Sequence, residues 1–389
     1  MKLNIENGLV LQTDGTFIKG QVCIDQGIIQ AVIQNKNELP AGSGEALTIN
    51  AENRLVSPGL IDTHIHGGNG FSFTEEKGSY GMLEQRLSSI GVTAILPTGT
   101  SLPPEETEGF IRRVKALAEN NPANQVEILG IYMEGPYINR NKRGAHREEY
   151  IRSAQKDEVL RFLEQAGGLI KVWALAPEIK ENREAVELLA VRGVSVSIAH
   201  TEADYREAYD AFSAGANRVT HTFNTMPPLS HRYEGIITAA WQQSAFMELI
   251  ADGHHVSPTV IKMFLAASDP GRVMLVSDNN EFAGSPEGTY TQGSRLLTIS
   301  AGQIKTETGA LAGSIANLNA CVQNMVRWGL SPGAALKMAT ENPARSLGVF
   351  DRKGSLTRGK DADIVIFDEK LDPVMTIKGG RVVYEKPSV

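Results

Sequence analysis

The sequence predicts an α/β chain: a (β/α)8 TIM-like barrel joined to a small β-sandwich built from both termini. Three observations carry this reading. Eight apolar, strand-like runs fill the middle of the chain, and most are followed by a helical pattern. Both ends of the chain consist of short β-like runs broken by turn residues. The residue types that bind metals fall at the carboxyl ends of the central runs.

Residues 1–57 form the first part of the sandwich. Leu9-Val10-Leu11, Gly20-Gln21-Val22-Cys23-Ile24 and Gly27-Ile28-Ile29-Gln30-Ala31-Val32-Ile33 alternate and are punctuated by Gly and Asp, as in a small antiparallel sheet. Residues 348–389 have the same character, in Asp363-Ile364-Val365-Ile366-Phe367 and again over residues 374–384. Each set is too small to be stable alone, so the two are expected to pair. Residues 58–347 lie between them and hold the runs at 60–65, 92–96, 127–133, 170–174, 194–199, 218–222, 246–251 and 273–277. Helical patterns follow at 105–120, 181–192, 204–214 and 257–267. Near-continuous apolar strands belong to a parallel sheet covered on both faces. The rival is an open doubly wound sheet, which would carry a Gly-rich phosphate loop after its first strand. Gly67-Gly68-Asn69-Gly70 lacks that spacing.

The composition narrows the function. Of 389 residues, 41% are hydrophobic and 21% charged, the usage of a globular protein. With 38 Lys and Arg against 45 Asp and Glu, the net charge is −7, which gives no broad cationic face for nucleic acid. Cys23 and Cys321 are too few and too far apart for a disulfide framework or a zinc ribbon, which fits a reducing compartment. No stretch approaches the ~18 apolar residues of a membrane span, and the N-terminus lacks the apolar run of a signal peptide. The expectation is a soluble, cytoplasmic protein with no membrane partner.

Run one ends in His64-Ile65-His66, run three in Glu134, run five in His200, run six in His221 and run eight in Asp278; run seven leads into Asp252-Gly253-His254-His255. In a barrel every strand carboxyl end opens onto one mouth, so these residues converge. His64 and His66 are two apart on a strand and leave the same face. Each residue alone reads as an ordinary polar strand end, whereas the set reads as one site. Imidazole and carboxylate without thiolate point to Zn²⁺, Fe²⁺, Mn²⁺ or Co²⁺.

At these residues the chain resembles the amidohydrolase superfamily and, within it, the N-acetylglucosamine-6-phosphate deacetylase family. The matching stretches include Pro58-Gly59-Leu60-Ile61-Asp62-Thr63-His64-Ile65-His66-Gly67, Met133-Glu134-Gly135-Pro136-Tyr137, Ala199-His200-Thr201 and Thr220-His221-Thr222-Phe223-Asn224-Thr225-Met226. They continue with Ile250-Ala251-Asp252-Gly253-His254-His255-Val256, Val276-Ser277-Asp278 and Leu311-Ala312-Gly313-Ser314, so that essentially the whole chain is covered. The resemblance implies metal-dependent hydrolysis of the acetamide of an N-acetylhexosamine 6-phosphate in amino-sugar catabolism. Glu134, His200 and His221 would hold the principal ion. His64 and His66, with Glu134 bridging and Asp278 nearby, would hold a second, giving one or two per chain. Many relatives bridge through a carboxylated Lys at the end of strand four; here Lys171 stands only at the start of that run, so Glu134 must serve.

Carried over in the same way, Asp278 moves the proton and His255 braces the tetrahedral intermediate, with His254 pointing away. Ala145 and His146, in Gly144-Ala145-His146, match the family's phosphate contact, at a distance from the metal. Arg232 matches an Arg that reaches across a dimer interface, which implies a homodimer or higher homo-oligomer. Asn224 and Thr225 add backbone donors, and Leu311, Ala312 and Gly313 match a loop against the sugar. Two stretches depart from the family: Tyr233-Glu234-Gly235 replaces Glu-Pro-Gly, and Asn279-Asn280-Glu281-Phe282-Ala283-Gly284 is bulkier and more polar than usual. Both lie where the sugar would be held, so N-acetylgalactosamine 6-phosphate is the alternative substrate. A dipeptidase or cyclic-amide hydrolase would leave the phosphate donors without a partner. An inactive barrel serving assembly would typically have lost ligands that are all present here.

Overall fold

The computed structural model describes residues 1–34, 46–122, 125–293 and 295–387. The first strand, Lys2–Leu11, pairs antiparallel with Phe17–Asp25, and that strand pairs antiparallel with Ile28–Ile33. A bulge between Ile5 and Gly8 divides the first strand. Leu47–Asn50 and Leu55–Pro58 pair with its two halves, both in parallel. Ile364–Phe367 joins Leu55–Pro58, and Pro373–Lys378 and Arg381–Glu385 complete a sheet of eight strands among the described residues. The sheet curls until its edge at Ile28 bridges to Asp361, and Ile29 N donates to Lys360 O at 2.8 Å. Leu3, Ile5, Val10, Val22, Ile24, Val56, Ile364, Ile366 and Ile377 fill its interior. The sheet is therefore mixed rather than antiparallel. Alternation reports which face of a strand is buried, not the direction of the neighbour, and the chain returns on the far side of the first strand.

The barrel strands are Leu60–Ile65, Val92–Gly99, Ile131–Glu134, Ile170–Leu175, Ser195–Ile198, Ala216–Val219, Phe246–Leu249 and Val273–Leu275. Each pairs in parallel with the next. The segment after the eighth strand closes the ring on the first: Asp278 N donates to His64 O at 2.9 Å and His66 N to Asn279 O at 3.0 Å. Apolar spacing makes the outer helices. Pro104–Glu119 buries Thr107, Phe110, Ile111 and Val114, one face of a 3.6-residue period. Tyr205–Ser213 begins with a capping box in which Asp204 and Glu207 satisfy each other's backbone N–H. Beyond the eighth strand, Gly288–Gln292, Arg295–Ser300 and Gln303–Thr306 form a separate antiparallel sheet. Its Leu297, Ile299 and Ile304 pack with Phe282 and Ala312 into a small buried cluster. Among the described residues no helix is long and apolar enough to cross a membrane.

Candidate metal centre and substrate cavity

The strand ends bring the ligand residues together around Glu134. Its Oε1 lies 3.1 Å from Nε2 of both His200 and His221 and 3.6 Å from His64 Nε2, while Oε2 lies 3.3 Å from His66 Nε2. Asp278 Oδ1 is 3.2 Å from His66 Nε2 and 3.5 Å from His64 Nε2. His200, His221 and Asp278 have φ of 44°, 27° and 49°. Left-handed backbone costs a non-glycine residue about 1–3 kcal/mol and collects at functional sites. Three such residues on one rim show that side-chain aim is held here against backbone preference.

Two ligand groups share the carboxylate. Ligand atoms of His64, His66 and Glu134, and of Glu134, His200 and His221, lie within 4.8 Å of one another. Among the described residues His64 Nε2 is buried without a hydrogen-bond partner, and it faces two carboxylates. Imidazole nitrogens beside buried carboxylates, with no thiolate, suit a divalent cation. His200 Nδ1 is tied to Lys142 O at 2.8 Å, which leaves Nε2 free to ligate. Burial alone would raise the Glu134 carboxyl, but His64 and the bonds from His146, His200 and His221 hold it well below the usual carboxylate range. Burial likewise opposes ionisation of Asp278, and His64 and His66 outweigh it. Burial, reinforced by the neighbouring His146, pushes His200 down to about 4, so its ring is neutral at neutral pH.

Above this floor opens a cavity of about 350 Å³. Ala145, His146, Asn224, Thr225, Leu311, Ala312 and Gly313 line it together with His255 and Asp278. His255 Nδ1 is 2.7 Å from Asp252 Oδ2, and Asp252 Oδ1 accepts from the backbone N–H of His254 and His255 at 2.8 and 2.9 Å. His254 turns outward, its Nδ1 accepting from Gln303 Nε2 at 2.9 Å. Gly313, at φ 67°, passes so close to the Asp278 carbonyl that a Cβ would lie 2.8 Å from its oxygen.

His146 lies nearer the metal-ligand residues than the sequence expects. The sequence puts it with the phosphate, away from the metal ligands, yet its Nε2 lies 3.4 Å from Glu134 Oε2 and its ring packs against His200. The cause is the loop after strand three, which folds back over the mouth. There Nδ1 of His146 is held by Ser101 N at 3.1 Å, with the hydroxyls of Ser101 and Thr100 at 2.9 and 3.0 Å. Arg232 is exposed, is not among the cavity-lining residues of its own chain, and donates through Nε to His231 at 3.1 Å.

Sequence reading passed over Glu248, Arg218 and Arg295 at this site. Glu248 and Arg218, both fully buried, stand behind His64; a lone charge in Phe246-Met247-Glu248-Leu249 was the available signal. Asn280 and Glu281 line the cavity, with Asn280 Nδ2 donating to Ala312 O at 3.2 Å and Glu281 paired with Lys77. Arg295 also reaches the cavity wall and donates to the Ala145 carbonyl.

Residues 55–383 match the Amidohydrolase family. N-acetylglucosamine-6-phosphate deacetylase of Bacillus subtilis is 33% identical over 97% of this chain and 96% of its own. N-acetylgalactosamine-6-phosphate deacetylase of Escherichia coli O157:H7 is 32% identical over 93% and 94%. Among solved structures, N-acetylglucosamine-6-phosphate deacetylase from Thermotoga maritima superposes with a TM-score of 0.87 at 31% identity, covering 98% of this chain and 100% of that one. A mutant of the Mycobacterium smegmatis deacetylase in complex with N-acetyl-D-glucosamine 6-phosphate gives 0.88 at 27% identity, covering 98% and 99%.

Proposed function

Because the chain belongs to the amidohydrolase family, we infer that it hydrolyses the acetamide of N-acetyl-D-glucosamine 6-phosphate, releasing glucosamine 6-phosphate and acetate. The observation that carries this reading is the Glu134 carboxylate shared between two pairs of imidazoles, with Asp278 beside it at the floor of a sugar-sized cavity. The substrate named for the B. subtilis relative supports the choice of sugar.

Glu134, His200 and His221 would hold one divalent ion, and His64 and His66 with Glu134 and Asp278 a second, of Zn²⁺, Fe²⁺, Mn²⁺ or Co²⁺. Such ions, when bound, polarise an amide carbonyl and lower the pKa of water toward ~7. The chain's own residues do the rest. Asp278, ionised and on the cavity floor, accepts the proton of the attacking water and hands it to the departing nitrogen, which as a free amide anion would not leave. His255, oriented through Nδ1 by Asp252, faces the acetamide and braces the tetrahedral centre. His146, held against Glu134, meets the sugar near the acetamide rather than at the phosphate. Asn224 and Thr225 face the phosphate end, and Arg232 from a second copy of the chain completes it.

The galacto epimer is the second reading, favoured by the nearly equal identity of the E. coli O157:H7 relative and by the polar Asn280 and Glu281 wall. Steady-state kinetics with both 6-phosphates and with unphosphorylated N-acetylglucosamine decide. The inference expects the highest kcat/KM for N-acetylglucosamine 6-phosphate. A higher value for the galacto epimer would reassign the substrate, and no acetate release from either phosphate would overturn the reading.

A further inference from the structure

Behind the ligand histidines lies a buried ion pair that no step above uses. Glu248, in the seventh strand, and Arg218, in the sixth, are both fully buried, with Arg218 Nη1 3.1 Å from Glu248 Oε1. The other oxygen, Oε2, lies 3.0 Å from His64 Nδ1 and accepts from the backbone N–H of His221 at 3.3 Å. Arg218 also donates to Ser346 Oγ, so the pair is anchored to the helix Glu341–Ser346. A carboxylate has no proton to give, so the bond to Nδ1 requires that Nδ1 carry the hydrogen. In the neutral ring the lone pair of His64 is thereby placed on Nε2, a buried atom with no hydrogen-bond partner among the described residues that faces Glu134 and Asp278. Without Glu248 either ring nitrogen could be protonated, and a proton on Nε2 would block ligation.

We propose that Glu248, braced by Arg218, is a positioning residue that sets the tautomer and aim of His64 and thereby governs binding of a metal ion by the His64–His66 half of the centre. The same oxygen holds the His221 backbone but does not touch its ring, so the Glu134–His200–His221 half depends on it less. The inference rests on the two-ion reading above.

The test is metal uptake by the apo-protein, measured by equilibrium dialysis with Zn²⁺ and compared among wild type, Glu248→Gln and His64→Asn/His66→Asn. The double variant defines the isotherm of a single remaining site. Glu248→Gln is expected to weaken the second equivalent by about 10–100-fold, the usual effect of removing a carboxylate behind a ligating histidine, and to move the curve toward that isotherm. The first equivalent should change by far less. Glu248→Gln leaves Arg218 buried without its counter-ion, and such a change can prevent folding. Arg218→Met/Glu248→Gln removes both charges and should show the same selective loss, whereas Arg218→Met alone should keep both equivalents. Two equivalents bound with wild-type affinity in both Glu248 variants would overturn the role of Glu248 alone. A single equivalent in wild type would overturn the two-ion reading and this inference with it.

Discussion

Asp278 shows how one residue can be placed for its chemistry at a local cost. Its φ of 49° is unfavourable for a side chain, yet it brings Oδ1 to 3.2 Å from His66 Nε2 and keeps the carboxylate on the cavity floor. Asp278→Asn keeps the shape and removes the proton carrier. In protein checked for unchanged metal content, kcat should fall by at least ~10²-fold, the low end for general acid–base catalysis. Turnover within about threefold of wild type would overturn the assignment. His146 divides the phosphate-end reading from the acetamide-end reading. Held against Glu134, it should serve phosphorylated and unphosphorylated N-acetylglucosamine alike. His146→Ala should therefore lower kcat/KM for both by roughly tenfold or more, from loss of a hydrogen bond of about 1.5 kcal/mol. A loss confined to the phosphorylated sugar would return it to the phosphate end. The metal-ligand residue types were legible because His64, His66, Glu134, His200, His221 and Asp278 all end strand-like runs. The place of His146 beside Glu134 was not, because it depends on how a loop folds back, and residue pattern carries no record of that path.

At the scale of elements, the eight strands and their order were legible, since near-continuous apolar runs followed by helical periods leave few alternatives. The direction of the terminal strands was not, because pairing through the bulge at Ile5 to Gly8 is set by contacts distant in sequence. How the two units join was also invisible. Glu127, just before the third barrel strand, meets Lys353 at 2.7 Å and Lys378 at 3.4 Å, and pairs with Arg352. Lys353 and Lys378 also bind Asp363, at 2.5 and 3.1 Å, so these cations already neutralise the acidic group of Glu127, Asp361 and Asp363. Burial opposes the charge on Glu127, but the Arg352 bond and the two lysines outweigh it and lower its pKa from 4.5 to about 2. A carboxyl depressed on folding stabilises the native state above its unfolded pKa, and that contribution is lost as pH falls through the folded one. The Glu127→Gln variant should therefore be less stable than wild type at neutral pH, by about 1.5–3 kcal/mol for a charged hydrogen bond. The gap should close between about pH 4.5 and about pH 2. Denaturant melts of both proteins across that window check it, and a gap independent of pH would show that the Glu127 charge contributes nothing.

The whole molecule brings most of the proposed site together within one chain, but not Arg232. That residue is exposed, is bonded among the described residues to its neighbours His231 and Ser230, and lies outside the cavity lining of its own chain. Near it, Leu229 and Tyr233 are 46% and 77% exposed, an apolar pair beside the arginine that a second copy of the chain would cover. In a two-fold dimer each subunit would present the same loop to the other, so every site would combine residues of both chains. Arg232→Ala leaves Asp278 intact, and Asp278→Asn leaves Arg232 intact, so each homodimer is impaired for a different reason. In a mixed dimer, the site on the Arg232→Ala chain has its own Asp278 and receives Arg232 from the other chain. The opposite site has neither. Random mixing places about one site in four in the intact combination, and activity should recover to about that fraction of wild type. Dissociation, mixing and reassociation, with heterodimers verified by differential tags, provide the measurement. If verified heterodimers show no more activity than the average of the two parents, Arg232 does not act across an interface, and the phosphate must be held within one chain.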